Sequence, residues 1–511
     1  MEKSKKADMT FIASMNDDIL QNILQRLPAK PFAFASCVNR SWNIVCNHIL
    51  SRPKMVSAFS RNSDQLKAVE EAIDKALSEP IRPDFVIANV TCGYIGKTLD
   101  MITERVGTRV PVIVSVVEGV LGKESCNDKA GEVKHEVGLT NDDMFTGPSS
   151  FVVLLTVGYL PGIKVDVIPV IQAKEECEAR IGDKLVMDIR NFVSAVSDDA
   201  APACLMLFGV DTYVTEPIIR KLDYAMPAET IIVGDQRGEE FLHKRANELR
   251  KFEFHEDESK VLACLIFARD RHRPVAEAGR VQFHTAISRG ISPVDLRYKV
   301  ANTLPSTLPK WPATLMTAKR IGEADVLNGE QILDDIEANQ LGNPLRVDDP
   351  CIGVIKRRKY SVGLEQKPEI IASLVFHLVA GADEQYLTVK GAGIETGDDF
   401  QVYIPDLKVA EASLGAVSSQ LRNIVSKPNK REVVGGFVFA DSGRGDFFFG
   451  RPNADTSPFL ENFPELRFGG VFCDGEIGRG LFVEEEESSS QGQGCLHVVS
   501  SVYLIVSYAC S

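Results

Sequence analysis

Residues 15–50 read MNDDILQNILQRLPAKPFAFASCVNRSWNIVCNHIL, a segment whose apolar side chains recur at helical spacing. The first predicted helix, which Asn16 caps, carries one apolar stripe: Ile19, Leu20, Ile23, Leu24 and Leu27. Pro28 ends this helix because it cannot continue the hydrogen-bond ladder, and Ala29 to Asn39 form a short middle element. The third helix has its own apolar face: Trp42, Val45, Cys46, Ile49 and Leu50. So small a module cannot bury all of this surface alone, so we expect another protein or the rest of the chain to cover it.

This order of elements resembles the F-box, the motif that docks on the Skp adaptor of cullin-based ubiquitin ligases. The resemblance rests on the leucine-rich first helix, the Leu27-Pro28 break and the spacing from Val38 to Trp42. It covers residues 10–55, and residues 1–9 are expected to be disordered. Met15 and Asn16 stand where F-boxes usually have Leu-Pro. The resemblance implies Skp, and through it cullin, as partners, with these docking residues: Met15, Ile19, Leu20, Ile23, Leu24, Leu27, Pro28, Val38 and Trp42.

The 511 residues are enough for about three domains, and 44% hydrophobic content is normal for a folded protein. A net charge of −14 opposes attraction to phosphate backbones, so we expect no nucleic-acid partner. The dense basic run is Lys356-Arg357-Arg358-Lys359. We interpret it as a solvated turn before a strand, with a nuclear import signal or a phosphate patch as alternatives.

The 11 cysteines are scattered and include no C-x-x-C pair, which argues against a disulfide framework and against a zinc ribbon or RING. No signal peptide is legible at the N-terminus, and no run approaches the roughly 18 apolar residues of a membrane span. We therefore expect a protein of the cytoplasm, the nucleus or both, without membrane contact, metal or cofactor.

After residue 62 the chain alternates apolar strand-like runs with helical patterns over two segments, residues 63–288 and 292–511. Strands are predicted at Phe85 to Val90 and Val433 to Phe439, among others, and a long helix from Leu407 to Val425. A polar loop is predicted at 484–494, followed by a strand pair over Leu496 to Tyr508. The predicted fold class is α+β: an all-α F-box and a two-half α/β body of helix-covered, mainly antiparallel sheets. The runner-up is a doubly wound parallel sheet.

Two glycine-rich stretches, GGFVFADSGRGDFFFG at 435–450 and FPELRFGGVFCDGEIGRG at 463–480, resemble the C-terminal half of the FIST domain. Glu118 to Gly122 and Ser288-Arg289-Gly290 fit a diverged N-terminal half. In the C-terminal half, Arg479 stands where many FIST domains have proline. The resemblance favours Arg444 and Glu476 as residues of a pocket for a small ligand or a substrate.

Enzyme motifs are few. Thr91-Cys92-Gly93-Tyr94-Ile95-Gly96-Lys97-Thr98 could cradle phosphates, and Asp211 after the strand Leu205 to Val210 could hold magnesium, but the spacing requires glycine at Thr91. The chain carries no H-E-x-x-H motif and no legible domain for transferring ubiquitin.

We therefore interpret the chain as a non-catalytic substrate adaptor of a Skp-cullin-F-box ubiquitin ligase, which recruits an unidentified protein for ubiquitination and degradation. The alternatives are a small-molecule sensor with a vestigial F-box and, behind it, a P-loop nucleotide hydrolase.

Overall fold

The computed structural model describes residues 16–134, 138–139, 145–146, 150–173, 178–210, 215–238, 240–246, 258–273, 280–307, 312–340, 350–361, 369–426, 431–479 and 495–509. The predicted disordered terminus 1–9, Met15, Asp211 and the polar loop 484–494 lie outside these residues. The helices are α1 Asp17–Leu24, α2 Ala29–Ala35, α3 Arg40–Ile49, α4 Gln65–Ala76, α5 Ile95–Val106, α6 Glu178–Val196, α7 Thr215–Ala225, α8 Gly329–Gln340, α9 Leu407–Val425, α10 Asp446–Phe449 and α11 Ser457–Asn462. The strands are β1 Lys54–Asn62, β2 Phe85–Val90, β3 Val112–Val116, β4 Gly119–Lys123, β5 Ala130–Lys134, β6 Gly138–Leu139, β7 Phe145–Thr146, β8 Phe151–Tyr159, β9 Ile163–Ala173, β10 Cys204–Val210, β11 Ile231–Gly238, β12 Phe241–Lys244, β13 Glu258–Arg269, β14 Arg280–Ser288, β15 Ile291–Thr307, β16 Pro312–Arg320, β17 Cys351–Tyr360, β18 Glu369–Ala382, β19 Leu387–Lys390, β20 Asp399–Pro405, β21 Glu432–Asp441, β22 Gly469–Cys473, β23 Glu476–Gly478 and β24 Ser501–Ala509.

The first module consists of α1, α2 and α3. Asn16 caps α1 as predicted, since its side chain accepts a hydrogen bond from Asp18 N at 3.2 Å. Asn39 caps α3 in the same way, accepting from Trp42 N at 2.9 Å. The module has its own small core: Leu20, Leu24, Phe32, Ala35, Val45 and Cys46.

Within the described ranges, the body contains three open sheets, a closed six-stranded barrel and the two-stranded pair β6-β7. Sheet 1 has the order β1-β8-β2-β3-β12, sheet 2 the order β9-β13-β10-β11-β23, and sheet 3 the order β14-β24-β21-β22-β4-β5. The barrel, β15-β16-β19-β18-β17-β20, is antiparallel throughout. Together with the helical first module, this confirms the predicted mixed fold with mainly antiparallel sheets, and the doubly wound alternative is wrong.

The three open sheets repeat one topology. In each, a strand, a helix-linked parallel pair and a returning strand follow one another in the chain, and the returning strand inserts between the first two. The parallel pairs are β2-β3, β10-β11 and β21-β22. In the third sheet the barrel interrupts the chain between β14 and α9.

The strand that follows each parallel pair leaves its own sheet. β4 joins sheet 3 beside β22, β12 joins sheet 1 beside β3, and β23 joins sheet 2 beside β11. The three sheets are therefore linked in a cycle of strand exchange, which crosses the boundary predicted between 63–288 and 292–511. That division stays a prediction.

One apolar core lies between the three sheets, because each sheet buries one face there and packs helices on the other. Aromatic contacts join the sheets: the Phe85 and Phe267 ring centroids are 5.2 Å apart, and those of Phe208 and Phe439 are 6.4 Å apart. The outer faces pack against α4 and α5 in sheet 1, α6 and α7 in sheet 2, and α9 to α11 in sheet 3.

Local predictions and observed elements agree in some places and differ in others. The strand Phe85 to Val90 and the helix Leu407 to Val425 have the predicted bounds. The predicted strand pair over Leu496 to Tyr508 is wrong, because Leu496 makes only an isolated bridge to Ile477 and one strand, β24, follows. β24 lies between β14 and β21 and so has no need of a hairpin partner.

Candidate functional site: a docking face and a buried polar cluster

The helical first module exposes an unusual number of large apolar side chains. Five of the eleven exposed large hydrophobic residues in the described part of the chain belong to it: Ile19 at 53%, Ile23 at 45%, Phe34 at 66%, Val38 at 59% and Ile44 at 59% exposure. We call these five residues the docking face. Ile19 and Ile23 lie four residues apart on α1, so they are neighbours on one side of that helix.

The structure divides the nine predicted docking residues by accessibility. Ile19, Ile23, Pro28 and Val38 are exposed, and Leu27 and Trp42 are half-buried. Leu20 and Leu24 are buried in the module core and support the exposed residues from beneath, and Met15 lies outside the described residues. The docking role of all nine stays a prediction.

Two members of the docking face were not among the predicted residues. Phe34 lies in α2 four residues before Val38, and Ile44 lies in α3 off the stripe that contains Val45 and Cys46. In the sequence, each of the two is an apolar residue that lies off the core-facing stripe of its own helix. A search for core-facing stripes therefore does not find them.

The module is attached to the body by more than its connecting strand. The Ala29 N–H donates to Leu77 O at 3.0 Å, and Lys54 pairs with Glu79. Ala29 and Leu50 also pack against the core between sheet 1 and α4. These contacts fix the docking face relative to the sheets.

Arg444, predicted for a ligand pocket, lies in a closed network. It is fully buried, its Nε donates to Asp455 Oδ1 at 2.9 Å, and its Nη2 donates to Ser288 Oγ at 3.0 Å. Its Nη1 donates to Val499 O at 3.1 Å. A side chain at Gly290 would meet Val499 O at 2.3 Å, so glycine is required there for the close approach.

Glu476, the other predicted pocket residue, is also fully buried, at the start of β23. Its Oε2 accepts from Ser500 N at 3.2 Å and from Ser500 Oγ at 2.6 Å. Its Oε1 has no hydrogen-bond partner among the residues that the structure describes. Burial, with a further contribution from the charge of Asp441, raises the pKa of Glu476 well above its ordinary value.

Arg444 and Glu476 meet at one chain segment, since Arg444 binds Val499 O and Glu476 binds Ser500. Val499 has a positive φ of 48°, and its N–H donates to Asp441 Oδ2 at 3.0 Å. Because both side chains are enclosed, a ligand would reach them only after this cluster opens. Their assignment to a pocket stays a prediction.

All four segments that resemble a FIST domain contribute to sheet 3 or to its strand ends, and the stretch 463–480 also contains β23 of sheet 2. Glu118 to Gly122 runs into β4, Ser288 to Gly290 ends β14, and the two glycine-rich stretches contain β21 and β22. Arg444 contacts the second of these segments directly through Ser288. Residues more than a hundred positions apart in sequence thus form one neighbourhood.

In the predicted phosphate-binding loop, a side chain of the protein itself fills the turn. Thr91 to Thr98 does connect β2 to α5, as predicted, but Gln65 of α4 fills the turn. Its Oε1 accepts from Tyr94 N at 3.0 Å, and its Nε2 donates to Thr98 Oγ1 at 3.3 Å. A Cβ at Gly93 would meet Gln65 Oε1 at 2.4 Å. Since Gln65 already uses the turn's polar groups, this geometry does not favour a nucleotide hydrolase.

The basic run Lys356 to Lys359 lies inside β17, so the predicted solvated turn is wrong. Lys356 is buried with its Nζ 3.4 Å from Glu216 Oε1, and burial lowers its pKa to about 8. Arg357 pairs with Asp399, and Arg358 pairs with Asp398. Three of the four basic groups are therefore engaged within the chain, which favours neither an import signal nor a phosphate patch.

Two further features bear on the kind of protein. No described helix combines the length and apolar character that a membrane crossing demands. Within the described ranges, no group of three or more His, Cys, Asp or Glu side chains is placed to hold a metal ion.

Comparison with known proteins shows similarity to F-box proteins. Residues 12–53 match the F-box domain model. The chain is also 67% identical over 509 residues to an F-box/LRR-repeat protein of Arabidopsis thaliana, an alignment that covers 99% of this chain and 95% of that protein.

Proposed function

This chain belongs to the F-box protein family, and from that premise we propose that it is the substrate-recognition adaptor of a Skp-cullin-F-box ubiquitin ligase. F-box proteins are in general non-catalytic adaptors. The first module binds Skp and through it cullin, and the body binds the protein that is to be ubiquitinated. The chain's contribution is proximity, because it turns the encounter of a substrate lysine with the conjugating enzyme into a local event.

The docking face is the observation that supports this proposal. Residues 17–50 hold five of the eleven exposed large hydrophobic residues described, although they are a small part of the chain. A concentration of exposed apolar side chains in one small module is costly in water and is typical of protein interfaces. The core residues Leu20 and Leu24 keep α1 folded, so the face is formed before a partner arrives.

We propose further that the body is of the FIST type, with halves at 63–288 and 292–511. Support comes from the meeting of the four FIST-like segments in sheet 3 and from the contact between Arg444 and Ser288. The name of the Arabidopsis relative includes leucine-rich repeats. In the described ranges of this chain, the body consists of exchanged sheets and a barrel rather than a stack of strand-helix repeats.

The attachment of the first module to the body also fits an adaptor. The Ala29–Leu77 hydrogen bond and the packing of Leu50 hold the docking face at a fixed position relative to the sheets. An adaptor of this kind holds its substrate within reach of the conjugating enzyme, and a fixed geometry lowers the entropic cost of that arrangement.

The test is co-purification of the full chain with a Skp adaptor. The double variant Ile19→Asp/Ile23→Asp places two charges in the docking face and should lose at least about tenfold in Skp affinity. The matched control is Ile321→Asp/Val326→Asp, at residues 56% and 52% exposed outside the module, which should bind Skp like the wild type. Retained binding by the first variant, or equal loss in the control, would contradict the proposal.

A further inference from the structure

A cleft of about 540 Å³ opens between sheet 1 and sheet 2. Its walls are the residues that precede β2 and β3, the turn between β8 and β9, and the residues that follow β12 and β13. This volume lies within the range of small-molecule sites. The cleft is separate from the docking face and from the cluster around Arg444.

The cleft is basic although the protein is acidic. Four of its lining side chains are basic, Arg82, Arg109, Lys164 and Arg273, and two are acidic, Asp84 and Asp270. The whole chain carries a net charge of −14. A local excess of positive charge within such a chain concentrates anions at this place.

The three arginines of the cleft are available to a ligand. All three are exposed, and within the described part of the chain no ion pair joins any of them to a carboxylate: Arg82, Arg109 and Arg273. Lys164, by contrast, pairs with Asp270 at 3.3 Å. Among the residues described, none accepts a hydrogen bond from these three guanidinium groups, so their donors can bind an anion's oxygens.

Asp84 lies among these cations. It accepts a hydrogen bond from Leu160 N at 2.7 Å, and Arg82, Arg273 and Lys164 all lower its pKa through their charges. Burial outweighs them and raises the pKa of Asp84 to about 6. The Asp84 carboxylate thus lies inside a positively charged cleft. The same positive charge would also attract an anion of higher charge.

A second cleft of about 540 Å³ gives a useful contrast. There Arg269 is paired with Asp199 at 3.2 Å, and burial lowers the pKa of His284 to about 4, so the histidine is neutral. Of its basic groups only Arg280 is exposed and unpaired among the residues described. That cleft offers an anion much less positive charge.

We propose that the cleft at Arg82, Arg109 and Arg273 binds the phosphoryl group of an anionic ligand. Arginine guanidinium groups bind phosphate oxygens through paired, charge-assisted hydrogen bonds, and three of them surround one cavity here. The phosphoryl group belongs either to free phosphate or to a phosphorylated side chain of a bound protein. This site is independent of Skp docking, so each proposal can fail without the other.

The experiment measures binding to the full chain by calorimetry with two probes. The first probe is inorganic phosphate, and the second is N-acetyl-O-phosphoserine amide, with N-acetylserine amide as its blank. We expect saturable binding at one site. Tighter binding of the phosphoserine probe assigns the site to a phosphorylated side chain, and equal or tighter binding of inorganic phosphate assigns it to free phosphate.

Three variants make the test specific. Arg109→Gln/Arg273→Gln should weaken binding at least about tenfold, since it removes two charge-assisted contacts. Asp84→Asn keeps an acceptor for Leu160 N but removes the negative charge, so it should tighten binding several-fold. The control Arg357→Gln/Arg451→Gln makes the same change in net charge at exposed arginines outside the cleft and should leave affinity unchanged.

Three results would overturn the proposal. One is the absence of saturable binding by either probe. Another is an equal loss of affinity in the Arg357→Gln/Arg451→Gln control, which would show that only net charge matters. The third is an Asp84→Asn variant that binds no more tightly than the wild type.

Discussion

Arg444 and Asp455 form an ion pair inside the protein, with Arg444 Nη2 2.9 Å from Asp455 Oδ1 and neither side chain exposed. Ser501 Oγ donates to the same carboxylate oxygen at 2.7 Å, and Tyr503 Oη donates to Asp455 O at 2.7 Å. The pair thus joins the turn after β21 to β24, at the center of sheet 3. Burial without a partner would be costly for either charge, so each residue depends on the other.

Removing one member of this pair should destabilise the body strongly. We expect Arg444→Ala to lower the free energy of unfolding by about 3–5 kcal/mol, because Asp455 would remain as an uncompensated buried charge. Denaturant unfolding followed by circular dichroism measures it. The control Arg357→Ala removes an exposed arginine from the half-buried Asp399, which keeps its pair with Lys299, and should cost at most about 1 kcal/mol. Similar losses in both variants would contradict the expectation.

Gly158 and Phe85 are opposite each other on β8 and β2, and the Phe85 ring covers the glycine. A Cβ at position 158 would lie 2.1 Å from Phe85 Cε1, and the Phe85 ring also packs edge-to-face against Phe267. Gly158→Ala should therefore destabilise the protein by about 1–3 kcal/mol. Thermal unfolding measures it, and Gly158→Ala/Phe85→Leu should lose less than the two single changes added together.

At Gly415, the same glycine-to-alanine substitution should have the opposite effect on stability. It lies inside α9, and no atom comes within 4 Å of a Cβ built there. Gly415→Ala should raise stability by about 0.5–1 kcal/mol through helix propensity alone. A loss of stability at Gly415, or none at Gly158, would show that the packing around these glycines differs from the structure.

Glu132 makes stability depend on pH. Burial, with a contribution from Asp455, raises its pKa from 4.5 to about 7, while its Oε1 accepts hydrogen bonds from Thr456 N and Oγ1. Because the folded protein holds this proton more tightly than the unfolded chain, the group stabilises the fold fully below pH 4.5. That stabilisation is lost as the pH rises through about 7.

A neutral amide in place of the Glu132 carboxyl group should remove this loss of stability at high pH. We expect Glu132→Gln to be more stable than the wild type at about pH 8, by up to about 3 kcal/mol, with a smaller difference at about pH 5. Urea unfolding at both pH values gives the comparison. A difference between variant and wild type that does not change with pH would refute this role of Glu132.

Arg479 connects β23 to the end of α7. Its Nε donates to Asp223 Oδ1 at 2.7 Å, and its Nη1 donates to Pro227 O at 2.7 Å. Its backbone N–H donates to Ile232 O at 2.9 Å, a bond that proline could not make. The departure from the FIST pattern at this position therefore has a structural reason in this chain.

Loss of the Arg479 side chain should cost about 1.5–3 kcal/mol, because it removes charge-assisted hydrogen bonds and leaves Asp223 mostly buried without its cation. Chemical unfolding of Arg479→Ala measures the cost. Adding Asp223→Asn to that variant should restore part of the stability, since it removes the uncompensated charge. A double variant less stable than Arg479→Ala would argue against this explanation.

Local patterns in the sequence were enough for several elements. The stripe of α1, the cap at Asn16, the strand Phe85 to Val90 and the helix Leu407 to Val425 all agree with the structure. Each of these depends on residues within one or two turns or along a single strand, where hydrophobic period and capping chemistry decide the conformation. The first module was predictable for the same reason.

The sequence by itself thus determined the helical first module, the mixture of strands and helices and the mainly antiparallel sheets. Only the tertiary structure decided which sheet each strand joins, since pairing depends on residues far apart in the chain, such as Gly122 of β4 and Gly469 of β22, which lie opposite each other in sheet 3. The same cause placed Arg444 in a closed ion pair and Lys356 in β17, and it brought the arginines of the cleft together. Whether a charged side chain is solvated or enclosed depends on what the rest of the chain packs against it, and a local pattern does not contain that information.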